Sequence, residues 1–174
     1  ADAIREAGSL SSVQLYHGGM RSPAKVTGHQ PWCPSANEEF GARPMTVSEI
    51  EQAIEAYVKG AERAERAGFD GVELHGAHGY LLCQFLSSET NKREDGYGGS
   101  LENRSRPLFE AIKGIRQRCR ADFQLGVRLS PERFGMNVGD AVAVAQRLFD
   151  EGQIDYLDMS VWDVYKEPED PAYK

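Results

Sequence analysis

The sequence predicts an α/β protein with a parallel sheet, and its pattern favours part of a (β/α)8 barrel, or TIM barrel, over a doubly wound sheet. Short apolar segments typical of buried strands alternate with amphipathic helical segments along the 174 residues. One face of the predicted strands is apolar, as expected beneath covering helices. The other face is polar and charged, whereas a sheet covered by helices on both sides should be apolar throughout.

The first helix and the strand after it have well-marked ends. A short strand over residues 13–16 precedes them. Residues 46–49 (Thr-Val-Ser-Glu) form a capping box, which predicts that a helix begins there, and Gly68 predicts its end. Residues 69–75 then form a short apolar strand. The apolar residues of the helix recur with a period of about 3.6 residues: Ile50, Ala53, Ile54, Tyr57, Val58, Ala61 and Ala64.

The same order of helix and strand occurs twice more. A helix over residues 101–118, restarted or kinked by Pro107, precedes a strand over residues 123–129. A third helix ends at Gly152 and precedes a strand over residues 154–160. No second sheet is indicated. The predicted apolar face of the third helix consists of Ala141, Val142, Ala145, Leu148 and Phe149.

The two faces of the predicted strands differ in chemistry. The apolar face consists of Val13, Leu15, Val72, Leu74, Leu125, Val127, Leu157 and Met159, and the polar face consists of Gln14, Glu73, His75, Arg128, Asp158 and Ser160. Active sites of TIM barrels lie at the C-terminal ends of the strands, where His75 and Arg128 are expected. Residues 22–43 and 87–100 are predicted to be long loops, which on a barrel are often functional.

Composition excludes several classes of function. A formal net charge of −7 argues against a nucleic-acid surface, which needs clustered Lys and Arg. No apolar stretch approaches the roughly 20 residues that cross a bilayer, and residues 1–10 lack the pattern of a signal peptide. The 3 cysteines form no C-x-x-C pair, so we expect neither disulfides nor a thiolate metal site and place the protein in a reducing cytoplasm.

Three residues with reactive side chains follow the strand over residues 69–75. If the chain turns there, His75 and His78 could both bind one atom about 3 Å from each ring, and Tyr80 adds a proton donor. As hydrogen-bond donors to a carbonyl oxygen, the imidazoles need only converge. As metal ligands they would require a third group such as Glu73, and no second histidine cluster completes a zinc site. A purely structural role for each residue is the third interpretation.

The wider sequence closely resembles the old yellow enzyme family. The resemblance rests on His75-Gly-Ala-His-Gly-Tyr80 within residues 68–87, on Thr90-Asn-Lys-Arg93, and on residues 97–104 (YGGSLENR). It extends to Gln14-Leu-Tyr-His17 and to residues 126–130 (GVRLS). This resemblance implies a flavin-binding TIM barrel, of which residues 1–174 form a single domain covering about strands three to six, without the N- and C-terminal strands.

The resemblance also implies an FMN enzyme in which five residues have separate roles. Gln14 is similar to the glutamine at the flavin's pyrimidine edge, Arg128 to the arginine near its N1 and O2, and His75 also contacts the flavin. His75 and His78 would bind the carbonyl oxygen of an α,β-unsaturated substrate, and Tyr80 would protonate its α carbon. NAD(P)H would reduce the flavin in a separate half-reaction, giving ping-pong kinetics without a G-x-G-x-x-G loop.

Departures from the family leave two alternatives. Met20 stands where the family usually has an arginine, with Arg21 next to it. Four strands cannot close a barrel, and open sheet edges invite self-association, so a homo-oligomer is one expectation. The first alternative to an enone-reducing enzyme is an inactive half-barrel or assembly unit without flavin. The second is a metal-dependent barrel hydrolase that uses Glu73, His75 and His78.

Overall fold

In a computed structural model, which describes residues 1–174, four strands form one parallel sheet. The sheet order is β1-β4-β5-β6, with β1 at Ser12–Leu15, β4 at Gly71–Gly76, β5 at Gln124–Leu129 and β6 at Tyr156–Met159. Three long helices separate the four strands: α3 at Val47–Arg66, α5 at Leu101–Arg118 and α6 at Val138–Glu151. The predicted parallel α/β arrangement is confirmed.

The ends of the helices follow from local sequence. The Thr46 side chain accepts from the Glu49 amide, and the Glu49 carboxylate accepts from the Thr46 amide, which completes the predicted capping box of α3. Ser100 caps α5, which spans the predicted residues. Gly152 ends α6 with a φ of 60°, a left-handed conformation that favours glycine.

Two details of the predicted helices are wrong: the restart of a helix at Pro107 and the apolar face of α6. Helix α5 runs through Pro107 as one continuous helix, because a single missing hydrogen bond near the N-terminus does not outweigh the packing of its buried face. On α6 the buried residues are Ala141, Val144 and Leu148, whereas Val142 and Phe149 are exposed. Successive side chains along a helix are rotated by about 100° around its axis. Val142 and Phe149 therefore project beside the row of buried residues and not into the core.

The remaining differences concern short elements. The predicted loop over residues 22–43 contains α2 (Ala24–Thr27), and β2 (Trp32–Cys33) pairs with β3 (Arg43–Pro44) in a second, parallel sheet. Strands of two residues are too short to show a period. Two more helices, α1 (Asp2–Glu6) and α4 (Leu81–Leu86), were not predicted. All six residues of α4 are buried, so α4 has no amphipathic pattern.

The core lies between the outer face of the sheet and the helices. Four strand residues, Val72, Leu74, Leu125 and Val127, are fully buried there. The predicted apolar face is therefore confirmed at the two central strands.

The motif residue Arg104 is also buried. Its guanidinium donates to the carbonyl oxygens of Leu86 and Gly99 and forms a 2.9 Å ion pair with Asp140. No helix is long and apolar enough to cross a membrane.

The strand register arranges the inner face in two layers. In the lower layer, Gln14 is level with Glu73, Glu73 with Gly126, and Gly126 with Tyr156. In the upper layer, His75 is level with Arg128, and Arg128 with Asp158. Because parallel strands align side chains in rows, residues far apart in sequence share one level. The upper row lies at the C-terminal ends of the strands, as predicted for an active site. Its members are His75, Arg128 and Asp158.

The close approach of β4 and β5 gives a prediction for stability. A Cβ added at Gly71 would lie 2.5 Å from the carbonyl oxygen of Gln124, a backbone atom that cannot move alone. We therefore expect Gly71→Ala to lower the free energy of unfolding by about 1–3 kcal/mol, measured by urea denaturation. Gly96→Ala is the matched control, since a Cβ there meets nothing within 4 Å. Equal stability of the two variants would contradict this register.

Candidate active site

The site is built on the tight turn that follows β4. His78 and Gly79 both have left-handed backbone conformations, with φ of 58° and 70°. This is uncommon for a side chain such as His and costs on the order of 1 kcal/mol. The two left-handed residues reverse the chain direction directly after Gly76, so His78 turns back over the end of the strand. The strained conformation of His78 is therefore part of the turn that brings His75 and His78 together.

Neighbouring strand ends hold this turn in place. The Ser130 hydroxyl, after β5, accepts from the His78 amide at 3.1 Å. On the other side, the His17 carbonyl, after β1, accepts from the Leu81 amide at 3.0 Å. Arg21 Nε donates to the Gly79 carbonyl at 3.2 Å. Two separate segments, the one after β1 and the one after β5, therefore fix the backbone, which compensates for its strain.

The two imidazoles face one another. His75 Nε2 lies 3.1 Å from His78 Nδ1, and the ring centroids are 4.9 Å apart. His75 is only 3% exposed, and its other nitrogen, Nδ1, is buried without a hydrogen-bond partner. The structure thus brings together the two side chains that the sequence predicted to converge, with one nitrogen of each pointing at the other.

Tyr80 lies against the histidine pair. It occupies the N-cap position of α4, and its ring centroid is 5.2 Å from that of His75. The ring centroid of Tyr16, which follows β1, is 5.3 Å from that of Tyr80. The phenol is therefore adjacent to the imidazoles, as the predicted role as proton donor requires. That role itself stays a prediction.

Arg128 and Gln14 lie on the same inner face at different heights. Arg128 Nε is 3.0 Å from Asp158 Oδ2 but lacks the alignment of a hydrogen bond, so the contact is an ion pair. Its Nη2 donates to the Ser160 hydroxyl at 3.2 Å. Gln14, one layer below and on β1, is exposed and donates to Glu73 Oε1 at 2.5 Å. Arg128 is thus grouped with the histidines, and Gln14 is not.

Burial keeps the histidine pair uncharged. Desolvation, with smaller contributions from the neighbouring His78 and Arg128, lowers the pKa of His75 to about 4 against the opposing effect of Asp158. The pKa of His78 is also lowered, again first by burial and then by Arg128. Two neutral imidazoles can each donate one hydrogen bond and accept one, which suits binding of an uncharged carbonyl oxygen.

The position and contacts of Glu73 test whether it could bind a metal ion together with His75 and His78. Glu73 lies one layer below His75, and its carboxylate accepts from Gln14. No group of three or more His, Cys, Asp or Glu side chains in the structure could hold a metal ion. The ligand set that a barrel hydrolase would need from Glu73, His75 and His78 is therefore not assembled.

Sequence reasoning missed several residues around the histidines. Arg21 holds the turn and packs its guanidinium over the Phe134 ring at 5.6 Å, while Phe134 meets His78 edge-on at 6.3 Å. Ser160 bonds both Arg128 and His78. No local pattern distinguishes these residues, since each reaches the site from a different strand end. Only the alternation along β6, which places Ser160 on the polar face, gave a signal.

Comparison with known proteins identifies the family. Residues 1–170 match the model of the NADH:flavin oxidoreductase / NADH oxidase family. The chain belongs to this family. An NADPH dehydrogenase of Geobacillus sp. (strain WCH70) is 40% identical over 164 residues, covering 92% of this chain and 47% of that protein. An NADH oxidase of Thermoanaerobacter brockii is 38% identical over 160 residues, covering 87% of this chain and 25% of that protein.

The fold comparison agrees with the sequence comparison. The crystal structure of Old Yellow Enzyme from Pichia sp. AKU4542 superposes with a TM-score of 0.80 at 34% identity, covering 93% of this chain and 50% of that one. The four-stranded sheet thus corresponds to about half of a TIM barrel, as predicted. The chain spans about half the length, or less, of the relatives it matches.

The family implies FMN, with NAD(P)H as reductant, and the inner face fits this group. An imide edge needs one donor and one acceptor, which the Gln14 amide provides. Asp158 and Ser160 contact Nε and Nη2 of Arg128, which leaves Nη1 for a ring oxygen or nitrogen. His75 Nδ1 is a buried polar atom without a protein partner on the same face. The residues that would hold FMN are Gln14 and Arg128, with His75 beside them.

The lowered pKa of His75 predicts how stability depends on pH. In the unfolded chain His75 takes up a proton near pH 6.5, but in the folded protein only near pH 4. The free energy of unfolding should therefore fall as the pH drops from about 6.5 to about 4, by about 3 kcal/mol for this group. His75→Asn should flatten that part of the curve in urea denaturation. His29→Asn, at an exposed position, is the control, and an unchanged slope in His75→Asn would contradict the assignment.

Proposed function

We propose that this protein is an FMN-dependent enzyme that reduces activated C=C bonds of α,β-unsaturated carbonyl compounds with NAD(P)H. One observation carries the proposal: His75 Nε2 and His78 Nδ1 face each other at 3.1 Å, with the Tyr80 ring alongside. The two ring nitrogens lie close enough together for one carbonyl oxygen to replace their mutual contact and to bind both imidazoles. Membership of the flavin oxidoreductase family supports the choice of redox chemistry.

The histidines would bind and polarise the substrate carbonyl. An oxygen that enters between His75 and His78 replaces their mutual contact and accepts from both rings. Negative charge develops on this oxygen as the β carbon is reduced, and a preorganised donor is worth roughly 3 kcal/mol there. Because burial lowers the pKa of both imidazoles, they would act as neutral donors throughout the neutral pH range.

Tyr80 would supply the proton that completes the reduction. Addition of hydride to the β carbon leaves the electron pair of the former double bond at the α carbon and carbonyl oxygen. Transfer of the phenolic proton to the α carbon then forms the second C–H bond. The contact between the Tyr80 ring and His75 supports this role, because it keeps the phenol close to the histidines that would bind the carbonyl. The ring of Tyr16 also packs against the Tyr80 ring.

Gln14 and Arg128 would orient the cofactor. When bound, FMN supplies hydride transfer, since it takes two electrons from NAD(P)H and delivers them to the alkene. The Arg128 guanidinium would stabilise negative charge near the ring. Asp158 partly neutralises the guanidinium and holds it in the upper layer. Alternate use of one site by NAD(P)H and by the alkene accounts for the proposed ping-pong order.

Flavin binding is the first test. Purified protein should bind FMN, and Arg128→Gln should weaken the affinity by about 10-fold or more, since a charged hydrogen bond is lost. Fluorescence titration of FMN measures both. Arg66→Gln is the control, because Arg66 is exposed on the outer helix α3. A wild-type chain that binds no FMN would favour the alternative of an inactive half-barrel or assembly unit.

Tyr80→Phe separates the two half-reactions. The variant should reduce an enone at least about 100-fold more slowly, because general-acid catalysis is lost. Its flavin should still be reduced by NAD(P)H at the wild-type rate, as measured by stopped-flow absorbance. Tyr165→Phe is the matched control at a side chain that is 92% exposed. Slowing of both half-reactions alike would show that Tyr80 acts through structure and not as the proton donor.

A further inference from the structure

Ser160 joins the histidine pair to Arg128. It follows the last residue of β6, and its hydroxyl lies 2.6 Å from His78 Nε2 and 3.2 Å from Arg128 Nη2. Its backbone amide donates to the Leu129 carbonyl at 2.8 Å, so the backbone position does not depend on the hydroxyl. One small side chain therefore connects the arginine on β5 to the imidazole after β4.

The direction of these hydrogen bonds follows from which groups can only donate. A guanidinium has no acceptor, so Arg128 Nη2–H must donate to the Ser160 oxygen. The hydroxyl proton of Ser160 then has one acceptor within reach, His78 Nε2. If His78 Nε2 were protonated instead, the serine oxygen would accept twice and its own proton would have no partner. The satisfied arrangement leaves His78 Nε2 as an acceptor.

This arrangement fixes where the proton of His78 lies. A neutral imidazole with an accepting Nε2 carries its proton on Nδ1. His78 Nδ1 is the nitrogen that faces His75 Nε2 at 3.1 Å, and it therefore points to where a carbonyl oxygen would bind. Ser160 thus makes His78 a hydrogen-bond donor on the side of the substrate.

We propose that Ser160 is a positioning residue, which accepts from Arg128, donates to His78 Nε2 and so holds the His78 proton on Nδ1, ready for a carbonyl oxygen. The relevance to catalysis rests on the proposed function, whereas the protonation pattern does not. Asp158 contributes by holding the Arg128 side chain beside the hydroxyl. The protein would gain a preorganised donor without any charge on the imidazole.

Nitrogen NMR tests the protonation pattern directly. Two-bond ¹H–¹⁵N spectra of the histidine rings, recorded on the FMN-loaded protein at neutral pH, report which ring nitrogen carries the proton. We expect Nδ1–H at His78 in the wild type, a shift towards Nε2–H in Ser160→Ala, and a return to Nδ1–H in Ser160→Thr, which keeps a hydroxyl. Should Ser160→Ala not fold, Ser160→Cys gives the same comparison, because a thiol is a weak donor.

Phenol binding, measured by equilibrium titration of the same samples, gives the second readout. Ser160→Ala should bind a simple phenol about 10-fold more weakly, Ser160→Thr should recover most of the loss, and Ser9→Ala at an exposed position should change nothing. FMN affinity, measured alongside, tests the proposed function separately. His78 that keeps Nδ1–H in Ser160→Ala, or a loss of phenol affinity that Ser160→Thr does not recover, would overturn the role of Ser160.

Discussion

The parallel register of β4 with β5, and of β5 with β6, is the constraint on which the site depends. It places His75 level with Arg128, and Arg128 level with Asp158, so that groups more than 80 residues apart in sequence form one row. A shift of one residue would turn every side chain of a strand to the opposite face. The buried residues Val72 and Leu74 prevent such a shift, because it would expose them and bury Glu73 and His75 under the helices. The strand register therefore fixes both the packing of the core and the row of candidate active-site residues.

Electrostatics then determines what the row can do. Arg128 lies beside Asp158 and not beside a charged histidine, because burial keeps both imidazoles neutral. The site thus combines one fixed cation with neutral hydrogen-bond donors. That combination suits chemistry in which negative charge appears on a cofactor ring and on a carbonyl oxygen, since neither protonation nor a metal ion is needed to hold the charge.

The strained turn after β4 shows how the fold supports this arrangement. His78 accepts an uncommon backbone conformation because hydrogen bonds with Ser130, His17 and Arg21 hold the segment. In the lower layer, the Tyr156 ring occupies the space directly next to residue 126. A side chain at residue 126 would collide with this ring, and Gly126 avoids the collision. The upper layer is then left to His75, Arg128 and Asp158. Strain and packing are thus concentrated around the residues assigned to chemistry.

The sequence by itself determined the alternation of helices and strands, the bounds of α5, the capping box at Thr46 and the polar inner face, because these depend on periodicity and on local caps. It also singled out His75, His78, Tyr80, Gln14 and Arg128 through motifs that resemble a known family. Tertiary structure alone decided that Val142 and Phe149 are exposed, that Arg21 and Ser160 reach the histidine turn, and that His75 and His78 face each other through Nε2 and Nδ1. These features arise where separate strand ends meet, and a contact between distant segments leaves no period or spacing in the chain.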